Sequence, residues 1–391
     1  MEALLNPMRA DLDAATPENA VWAFHRRMPA YAATPLFDCP DLAAKAGVAR
    51  VLVKAETRRL GLPSFKILGA SWATYRALCD HLGYEPEPWA NINELARRIS
   101  YLRPFSLAAA TDGNHGRAVA FMARLLGFSC RIFVPAGTVP ARIHAIQNEG
   151  ADVVVVEGDY DVAVARSAAE ANDHCIVISD TSWPGYETTP RRVIEGYTTI
   201  FLEIDHALAA AGAAQPDVVI IPVGVGAFMS SAVSFYRKGG GSTVPVLVGV
   251  EPADANCVQE SVRAGQPVTV PGPHRSIMVG LNCGNPSPVA WPLVSAGVDW
   301  FLSLEDVWAR RAMCALAGSG VVAGETGAAA CGALAALTEC LEAEEFRAAG
   351  ILGPDTTVLL LVTEGATDPS NYEAIVGRAP EDVGTILTVA R

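Results

Sequence analysis

The segment Ser106-Leu-Ala-Ala-Ala-Thr-Asp-Gly-Asn-His-Gly116 shows how this chain is built. An apolar run at residues 106–111 is followed by a polar turn and then by a helical pattern over residues 114–126. Continuous apolar strands that alternate with helices are typical of a parallel sheet buried on both faces. The segment therefore predicts one strand, one turn and one helix of an α/β protein.

The same alternation repeats along the 391 residues of the chain. Further apolar runs predict strands at residues 50–54, 130–134, 151–156, 175–179, 217–222, 245–250, 299–302 and 356–362. Helical patterns lie at residues 60–80, 141–149, 160–172, 189–212, 226–237, 254–264, 305–317 and 325–345. Because parallel strands joined by helices form right-handed units, this order predicts an α/β fold with doubly wound sheets.

The composition excludes several classes of protein. With 51% hydrophobic and 18% charged residues, the chain has too much apolar material for a disordered protein. Its net charge of −13 argues against nucleic acid as a partner. No apolar run reaches the roughly 20 residues of a membrane helix, and no signal peptide is evident. We therefore expect a soluble, cytoplasmic protein with no membrane partner.

The nine cysteines are scattered, and none of them forms a C-x-x-C pair. This spacing argues against a zinc site and against a disulfide framework. We expect no metal site in this protein.

The polar turn at Thr111–Gly116 is the first candidate site. Ligands of open α/β sheets lie beyond the carboxyl ends of the strands, and a helix N-terminus favours an anion. Thr111, Asp112, Asn114 and His115 crowd this turn. A simple helix cap formed by Asp112 or Asn114 is the alternative.

A glycine turn, Pro222-Val-Gly-Val-Gly-Ala-Phe-Met229, follows another predicted strand and opens a helix. Glycines let the backbone approach a phosphate in front of a helix N-terminus. Glu251 closes the next strand, where an acid that binds a ribose would lie in a dinucleotide site. That fingerprint requires a third glycine at position 229, which is Met, so the turn favours a phosphate over a nicotinamide dinucleotide.

The chain contains only four lysines, at positions 45, 54, 66 and 238. Lys66 lies in an apolar segment that opens a helix, flanked by Phe65 and Ile67. A desolvated amine has the lowered pKa that imine chemistry requires, although a lysine that reaches solvent from the helix is the alternative. Lys66 is therefore the candidate for a Schiff-base lysine.

The end of the last strand adds Thr363, which could face a ring nitrogen or could be an ordinary strand-end hydroxyl. A lysine, a phosphate turn and a group for a ring nitrogen are the three requirements of pyridoxal 5′-phosphate (PLP). The sequence thus predicts a PLP site.

Several motifs resemble the fold type II PLP enzymes, the group of threonine dehydratase and tryptophan synthase β. Within that group, the chain is most similar to the diaminopropionate ammonia-lyases. The likeness covers nearly the whole chain and includes Tyr31–Pro35, Arg59–Leu62, Ser64–Gly69, Ala110–Arg117, Asp180–Glu187, Gly249–Pro252, Gly280–Gly284, Gly324–Ala328 and Thr363–Pro369. It implies a large domain made of residues 1–70 and 178–391, a small domain at residues 71–177, and a homodimer.

The resemblance also implies roles for residues at the cofactor. Lys66 would form the imine with PLP beside Phe65, Asn114 would bind the phenolic oxygen, and Thr363 would lie at the ring nitrogen. The phosphate would be held by Gly224, Val225, Gly226 and Ala227.

At the substrate, the resemblance links Asp112 and Asp180 to catalysis, together with Lys66. Thr111 and His115 would bind the substrate with these aspartates, although Asp180 alone could be a turn former. A carboxylate at position 112 could pair with a second ammonium, or take a proton on the face opposite Lys66, so that D- and L-amino acids both react.

The implied reaction is the elimination of ammonia from 2,3-diaminopropionate, which yields pyruvate and ammonia. The alternative is a PLP-dependent dehydratase or β-replacement enzyme whose substrate carries a hydroxy or acyloxy leaving group. Trp72 and Met229 depart from the small residues usual in the family, and they could narrow the pocket or belong to the core.

Overall fold

The computed structural model describes residues 1–12, 14, 19–111, 113–158, 160–238 and 244–384. The chain divides into two compact units. The large unit consists of Met1–Pro17, Ala33–Arg58 and Ile200–Arg391, and the small unit consists of Glu18–Ala32 and Arg59–Thr199. The domain boundaries at residues 70 and 177 stay a prediction.

Strands and helices alternate along most of the described chain. The strands are β1 (Glu2–Leu5), β2 (Leu36–Asp38), β3 (Arg50–Ala55), β4 (Ser106–Ala110), β5 (Ser129–Pro135), β6 (Asp152–Val156), β7 (Cys175–Val177), β8 (Val218–Pro222), β9 (Val246–Pro252), β10 (Trp300–Leu304) and β11 (Thr357–Val362). The first helices are α1 (Asn19–His25), α2 (Pro40–Ala46), α3 (Lys66–Leu82), α4 (Ile92–Arg98), α5 (Asn114–Leu126), α6 (Pro140–Gln147), α7 (Tyr160–Ala168) and α8 (Thr188–Gly196). The remaining helices are α9 (Thr198–Ala210), α10 (Ala227–Tyr236), α11 (Cys257–Ala264), α12 (Trp291–Gly297), α13 (Asp306–Gly318), α14 (Ala329–Glu339), α15 (Glu344–Ala348) and α16 (Pro369–Val376).

The large unit contains a seven-stranded sheet in the order β1-β10-β9-β8-β11-β3-β2. Its five inner strands are parallel, while β1 and β2 pair antiparallel with their neighbours at the two edges. The side chains of β8 are all buried, as expected for a strand covered on both faces. The predicted parallel sheet is confirmed, and the two short edge strands were not predicted.

The small unit contains a four-stranded sheet in the order β6-β5-β4-β7, with every pair parallel. Its central strand β4 consists of small apolar residues, and α5 follows it directly. The unit opened by Ser106–Gly116 therefore has the predicted strand, turn and helix.

Several predicted helix bounds were wrong. The helix expected over residues 325–345 is divided into α14 and α15. The helix expected from residue 60 begins at Lys66, because Leu60 and Gly61 adopt positive φ angles of 52° and 84°. The helix expected over residues 189–212 is two helices, α8 and α9, with Tyr197 between them. Within the described ranges, no helix is long and apolar enough to cross a membrane.

Candidate active site

The small unit gathers several predicted site residues at one edge of its sheet. Strands β4 and β7 are parallel neighbours, so their carboxyl ends lie side by side. The turn Thr111–Asn114 follows β4, and Asp180 follows β7 three residues after the last residue of that strand. These positions match the rule that ligands of α/β sheets bind beyond the carboxyl ends of the strands.

Lys66 and Asp180 form an ion pair in the small unit. Lys66 Nζ lies 2.7 Å from Asp180 Oδ2 and donates a hydrogen bond to it. The lysine side chain is 25% exposed and the aspartate side chain 9% exposed, so the pair is largely shielded from water. The structure therefore places an amine and a carboxylate where proton transfer is possible.

Two further side chains surround the Asp180 carboxylate. His115 Nδ1 lies 3.8 Å from Oδ2, and the Tyr160 hydroxyl donates to Oδ1 over 3.3 Å. Burial raises the pKa of Asp180, but its electrostatic interactions with His115 and Lys66 outweigh this effect and hold that pKa well below its ordinary range. Asp180 is therefore ionised at neutral pH.

The turn after β4 is fixed by close packing. Thr111 Oγ1 accepts a hydrogen bond from the Gly113 backbone N–H over 2.9 Å. A Cβ atom at Gly116 would lie 2.3 Å from Thr111 Cγ2, so only glycine fits there. Asn114 is the first residue of α5, and His115 Nε2 lies 2.8 Å from the Ile178 carbonyl oxygen. Asp112 lies outside the described residues.

In the large unit, the predicted phosphate turn lies between β8 and α10. Gly226 has a φ of +95°, which a residue with a side chain rarely adopts, and α10 begins at Ala227. The Ser287 N–H donates to the Val225 carbonyl over 2.8 Å, which fixes the turn. A Cβ atom on Gly224 would come within 3.3 Å of the Gly280 carbonyl oxygen. The turn thus has a tightly held backbone in front of a ten-residue helix.

Thr363 follows β11, which is the parallel neighbour of β8. Its Oγ1 atom is buried and has no hydrogen-bond partner. The next residue, Glu364, accepts a hydrogen bond through its carbonyl from the Gly324 N–H over 3.1 Å. A Cβ on Gly327 would lie 2.3 Å from the same carbonyl oxygen, so this glycine permits the close approach. A buried hydroxyl without a partner is unfavourable, and a ligand atom would satisfy it.

The other three lysines have different environments. Lys45 is exposed on α2, and Lys238 packs its Nζ atom 4.1 Å from the centre of the Phe235 ring. Lys54 is almost fully buried, and it donates to Glu203 Oε2 over 2.7 Å and to the Thr34 carbonyl over 2.9 Å. Of the four, Lys66 is the lysine whose amine pairs with Asp180, the carboxylate that follows β7.

Glu251 has a structural explanation that the sequence left open. Its carboxylate accepts hydrogen bonds from the Val258 and Gln259 backbone N–H groups over 2.9 and 2.8 Å, in the first turn of α11. Both carboxylate oxygens therefore cap a helix, which leaves the nicotinamide alternative without its ribose-binding acid.

Trp72 and Met229 belong to the core of their units. Met229 is fully buried. Trp72 is 6% exposed, lies 5.5 Å from the Phe24 ring centre, and donates through Nε1 to Glu195 Oε2 over 2.9 Å. Their burial favours packing in the core over a role in narrowing the substrate pocket.

Sequence reasoning missed the tyrosines near Asp180. Tyr160 contacts its carboxylate, and Tyr186 contacts the backbone just before it. The quoted motif Asp180–Glu187 contained Tyr186, but a phenol that binds backbone groups leaves no signal in the spacing of residues. Tyr160 opens α7 after strand β6, and only the folded chain brings it to Asp180.

Comparisons with known proteins show which family the chain belongs to. A family model described as pyridoxal-phosphate dependent enzyme matches residues 28–364. The diaminopropionate ammonia-lyase of Salmonella typhimurium is 33% identical over 369 residues, which are 91% of this chain and 91% of that protein.

Two crystal structures of the Escherichia coli diaminopropionate ammonia lyase also match. The complex with D-serine gives a TM-score of 0.88 at 30% identity and covers 96% of each chain. The complex with an aminoacrylate-PLP azomethine reaction intermediate gives a TM-score of 0.86 at 30% identity, again over 96% of each chain.

Proposed function

Because the chain belongs to the pyridoxal-phosphate dependent enzymes, and among them to the diaminopropionate ammonia-lyase family, we propose that it eliminates ammonia from 2,3-diaminopropionate. One substrate molecule and one water give pyruvate and two molecules of ammonia. The observation that carries this proposal is the Lys66–Asp180 pair, an amine held at 2.7 Å from a carboxylate that stays ionised.

The residues present fit the cofactor of the family. The buried Thr363 hydroxyl has no hydrogen-bond partner, and the ring nitrogen of the cofactor would provide one. The glycine turn before α10 offers backbone N–H groups to a phosphate. We assign the phosphate to Gly224, Val225, Gly226 and Ala227, the aldehyde to Lys66 beside Phe65, and the phenolic oxygen to Asn114. When bound, PLP supplies an electron sink that stabilises negative charge at the substrate Cα.

Lys66 is the residue that we assign to moving the Cα proton of the substrate. Its Nζ atom donates a hydrogen bond to Asp180, whose negative charge favours the protonated form of a nearby amine. Asp180 would also bind an ammonium group of a diamino acid, since a carboxylate that stays ionised attracts a cation, and we assign His115 to the substrate site beside this carboxylate. Thr111 fixes the backbone before Asn114 by accepting a hydrogen bond from the Gly113 N–H.

Asp112 remains the proposed base for the opposite face of the substrate. A carboxylate there would remove the proton of one enantiomer while Lys66 removes that of the other. An Asp112→Asn variant should then lose turnover of D-diaminopropionate more than turnover of the L-form. Equal losses for both enantiomers contradict this role.

The proposal is tested by adding D- or L-2,3-diaminopropionate to the PLP-loaded chain and measuring pyruvate, ammonia and the ultraviolet–visible spectrum. We expect pyruvate and ammonia in a ratio of one to two, with the cofactor band changing during turnover. L-Serine and O-acetyl-L-serine serve as comparisons, because they carry hydroxy and acyloxy leaving groups. Faster turnover of either one contradicts a preference for an amine leaving group and supports the dehydratase or β-replacement alternative.

We also propose that the chain acts as a cytoplasmic homodimer. The resemblance to fold type II enzymes supports the dimer, and the lack of a membrane-crossing helix in the described ranges is compatible with the location. Light scattering of the purified chain measures its mass, for which we expect twice the 41.1 kDa of one chain. A mass of 41.1 kDa that does not change with concentration contradicts the dimer.

A further inference from the structure

Tyr186 binds the backbone directly in front of Asp180. Its hydroxyl donates to the Val177 carbonyl over 2.6 Å and accepts from the Ser179 N–H over 3.1 Å. One side-chain oxygen thus joins two backbone groups where β7 ends, and Asp180 is the next residue after Ser179.

The ring of Tyr186 is itself held in place. It stacks on Trp183 with ring centres 4.1 Å apart and an angle of 10° between the ring planes. The Tyr186 N–H donates to the Trp183 carbonyl over 2.9 Å, and Gly185, with a φ of +85°, closes the turn between them. Both rings pack on the buried side chains of Ala108, Cys175 and Val177.

The two backbone groups of Ile178, in the same segment, are also bound. The Ile178 N–H donates to the Ala108 carbonyl over 2.8 Å, and the Ile178 carbonyl lies 2.8 Å from His115 Nε2. The chain leading to Asp180 is therefore fixed by the sheet, by His115 and by the Tyr186 hydroxyl. Of these three, the Tyr186 hydroxyl holds the position adjacent to Asp180.

Resting on the proposed function, we propose that Tyr186 is a positioning residue that sets the distance between the Asp180 carboxylate and the Lys66 amine. Tyr186 acts through the backbone of Ser179 and does not touch the amine. Burial raises the pKa of Tyr186 to about 12, so its hydroxyl keeps the proton that binds the Val177 carbonyl. Without this hydroxyl, two backbone groups lose their partner and Asp180 moves away from Lys66.

The first test is a double-mutant cycle with Tyr186→Phe and Asp180→Asn, measured as kcat for 2,3-diaminopropionate. A displacement of about 1 Å can lower a rate by up to ~100-fold, so we expect Tyr186→Phe alone to lower kcat by at least about tenfold. In the Asp180→Asn background, the same change should lower kcat by no more than about twofold, because the group that it positions is already lost. Equal factors in both backgrounds overturn the proposal.

The matched control is Tyr75→Phe, which removes another buried phenol hydroxyl in the small unit. Tyr75 is 4% exposed, and its hydroxyl contacts Glu87 over 3.4 Å. We expect a smaller fall in the thermal midpoint than for Tyr186→Phe, because one long hydrogen bond is lost and not two, and an unchanged kcat. A loss of kcat equal to that of Tyr186→Phe overturns the proposal.

Trp183→Leu is the substitute variant if Tyr186→Phe does not fold. It removes the ring that stacks on Tyr186 and keeps the Tyr186 hydroxyl, so it tests the position of that hydroxyl.

A spectroscopic titration of the PLP-loaded chain needs no substrate. Asp180 is faced by five titratable groups, namely Lys66 from α3, His115 from α5, Tyr160 from α7, Tyr197 between α8 and α9, and Tyr186 itself. A carboxylate near the Lys66 nitrogen favours its protonated form, so moving that carboxylate away lowers the pH midpoint of the absorbance change by about one unit or more. We expect this shift for Tyr186→Phe and Asp180→Asn, and none for Tyr75→Phe.

The two readouts separate this inference from the proposed function. A wild-type chain without turnover of diaminopropionate, but with the midpoint shift in Tyr186→Phe, contradicts only the proposed substrate. Normal turnover with an unmoved midpoint in Tyr186→Phe contradicts only the role of Tyr186.

Discussion

Lys66 and Asp180 are 114 positions apart in the chain, yet their side chains are joined by a hydrogen bond of 2.7 Å. Lys66 is the first residue of α3, and Asp180 follows the edge strand β7 of the small sheet. The pair holds the Lys66 amine beside a carboxylate that stays ionised, in a largely buried position where a proton can pass between the chain and a ligand.

Replacement of Lys66 by alanine should abolish the covalent attachment of PLP. The other three lysines are exposed, packed on an aromatic ring or paired with a buried glutamate, so none of them can substitute for it. Mass spectrometry after borohydride reduction should show a PLP adduct on Lys66 in the wild-type chain and no adduct in the variant. An adduct of equal yield in Lys66→Ala removes Lys66 from this role.

Asp180→Asn should lower kcat by about 100-fold or more, because it removes a charge at the reacting amine. The variant should also change the pH dependence of stability. The pKa of Asp180 is held below its ordinary value of 3.8, so its ionised form stabilises the fold above that pH, and this contribution is lost as the pH falls further.

Urea unfolding of the wild type and of Asp180→Asn at several pH values measures this effect. The difference in free energy of unfolding should be constant above about pH 5 and should shrink below about pH 4. Asp80→Asn, which changes an exposed aspartate on the same helix as Lys66, is the control. A difference that stays constant down to acid pH contradicts the assignment.

Thr363→Val should have opposite effects on the empty and the loaded protein. Valine removes a buried hydroxyl that has no partner, so the PLP-free chain should be as stable as the wild type or more stable. The loaded chain should bind PLP about tenfold more weakly, because the hydrogen bond to the cofactor is lost. Thermal unfolding with and without PLP measures both effects.

Thr74→Val is the control for this experiment. Thr74 is also fully buried, and its hydroxyl has no hydrogen-bond partner, but it lies in the middle of α3. The affinity of this variant for PLP should equal that of the wild type. Equal affinities in Thr363→Val and Thr74→Val argue against a cofactor contact at Thr363.

Gly116→Ala should destabilise the small unit by about 1–3 kcal/mol, because the new methyl group overlaps Thr111 Cγ2 and Ile132 Cγ2. Adding Thr111→Ser removes one of these methyl groups and should restore part of the stability. Gly318→Ala, where nothing lies within 4 Å of the new atom, should change stability by less than about 1 kcal/mol. Chemical denaturation compares the three variants, and an unchanged Gly116→Ala stability is the contradicting result.

The positions of Asn114, Asp180 and Thr363 at a helix start and at strand ends could be predicted from the sequence, whereas the start of α3 at Lys66 was predicted six residues too early. Apolar strands and polar turns alternate clearly, and parallel strands bring their carboxyl ends to one edge. The end of α8 before Tyr197 could not be predicted, because it coincides with close packing between distant segments. A Cβ on Gly196 would lie 2.5 Å from the Leu68 carbonyl oxygen, and the Tyr197 ring lies against Gly69.

The role of Glu251 also could not be predicted from the sequence. Its position near the end of β9 is equally compatible with a ligand contact and with a helix cap. Only the folded chain shows which backbone N–H groups donate hydrogen bonds to its carboxylate. Contacts between a side chain and distant backbone have no period in sequence, so the Tyr186 contacts were missed for the same reason.

Because Lys54 is buried, amine labelling of the folded protein can measure the fraction of molecules that hold the cofactor. Because Lys54 is 1% exposed and paired with Glu203, amine-directed labelling of the folded, empty chain should modify the N-terminal amine and Lys45, Lys66 and Lys238. Filling the site protects Lys66 alone. The yield of one tryptic peptide, compared with those of Lys45 and Lys238, therefore counts the fraction of occupied molecules in a preparation.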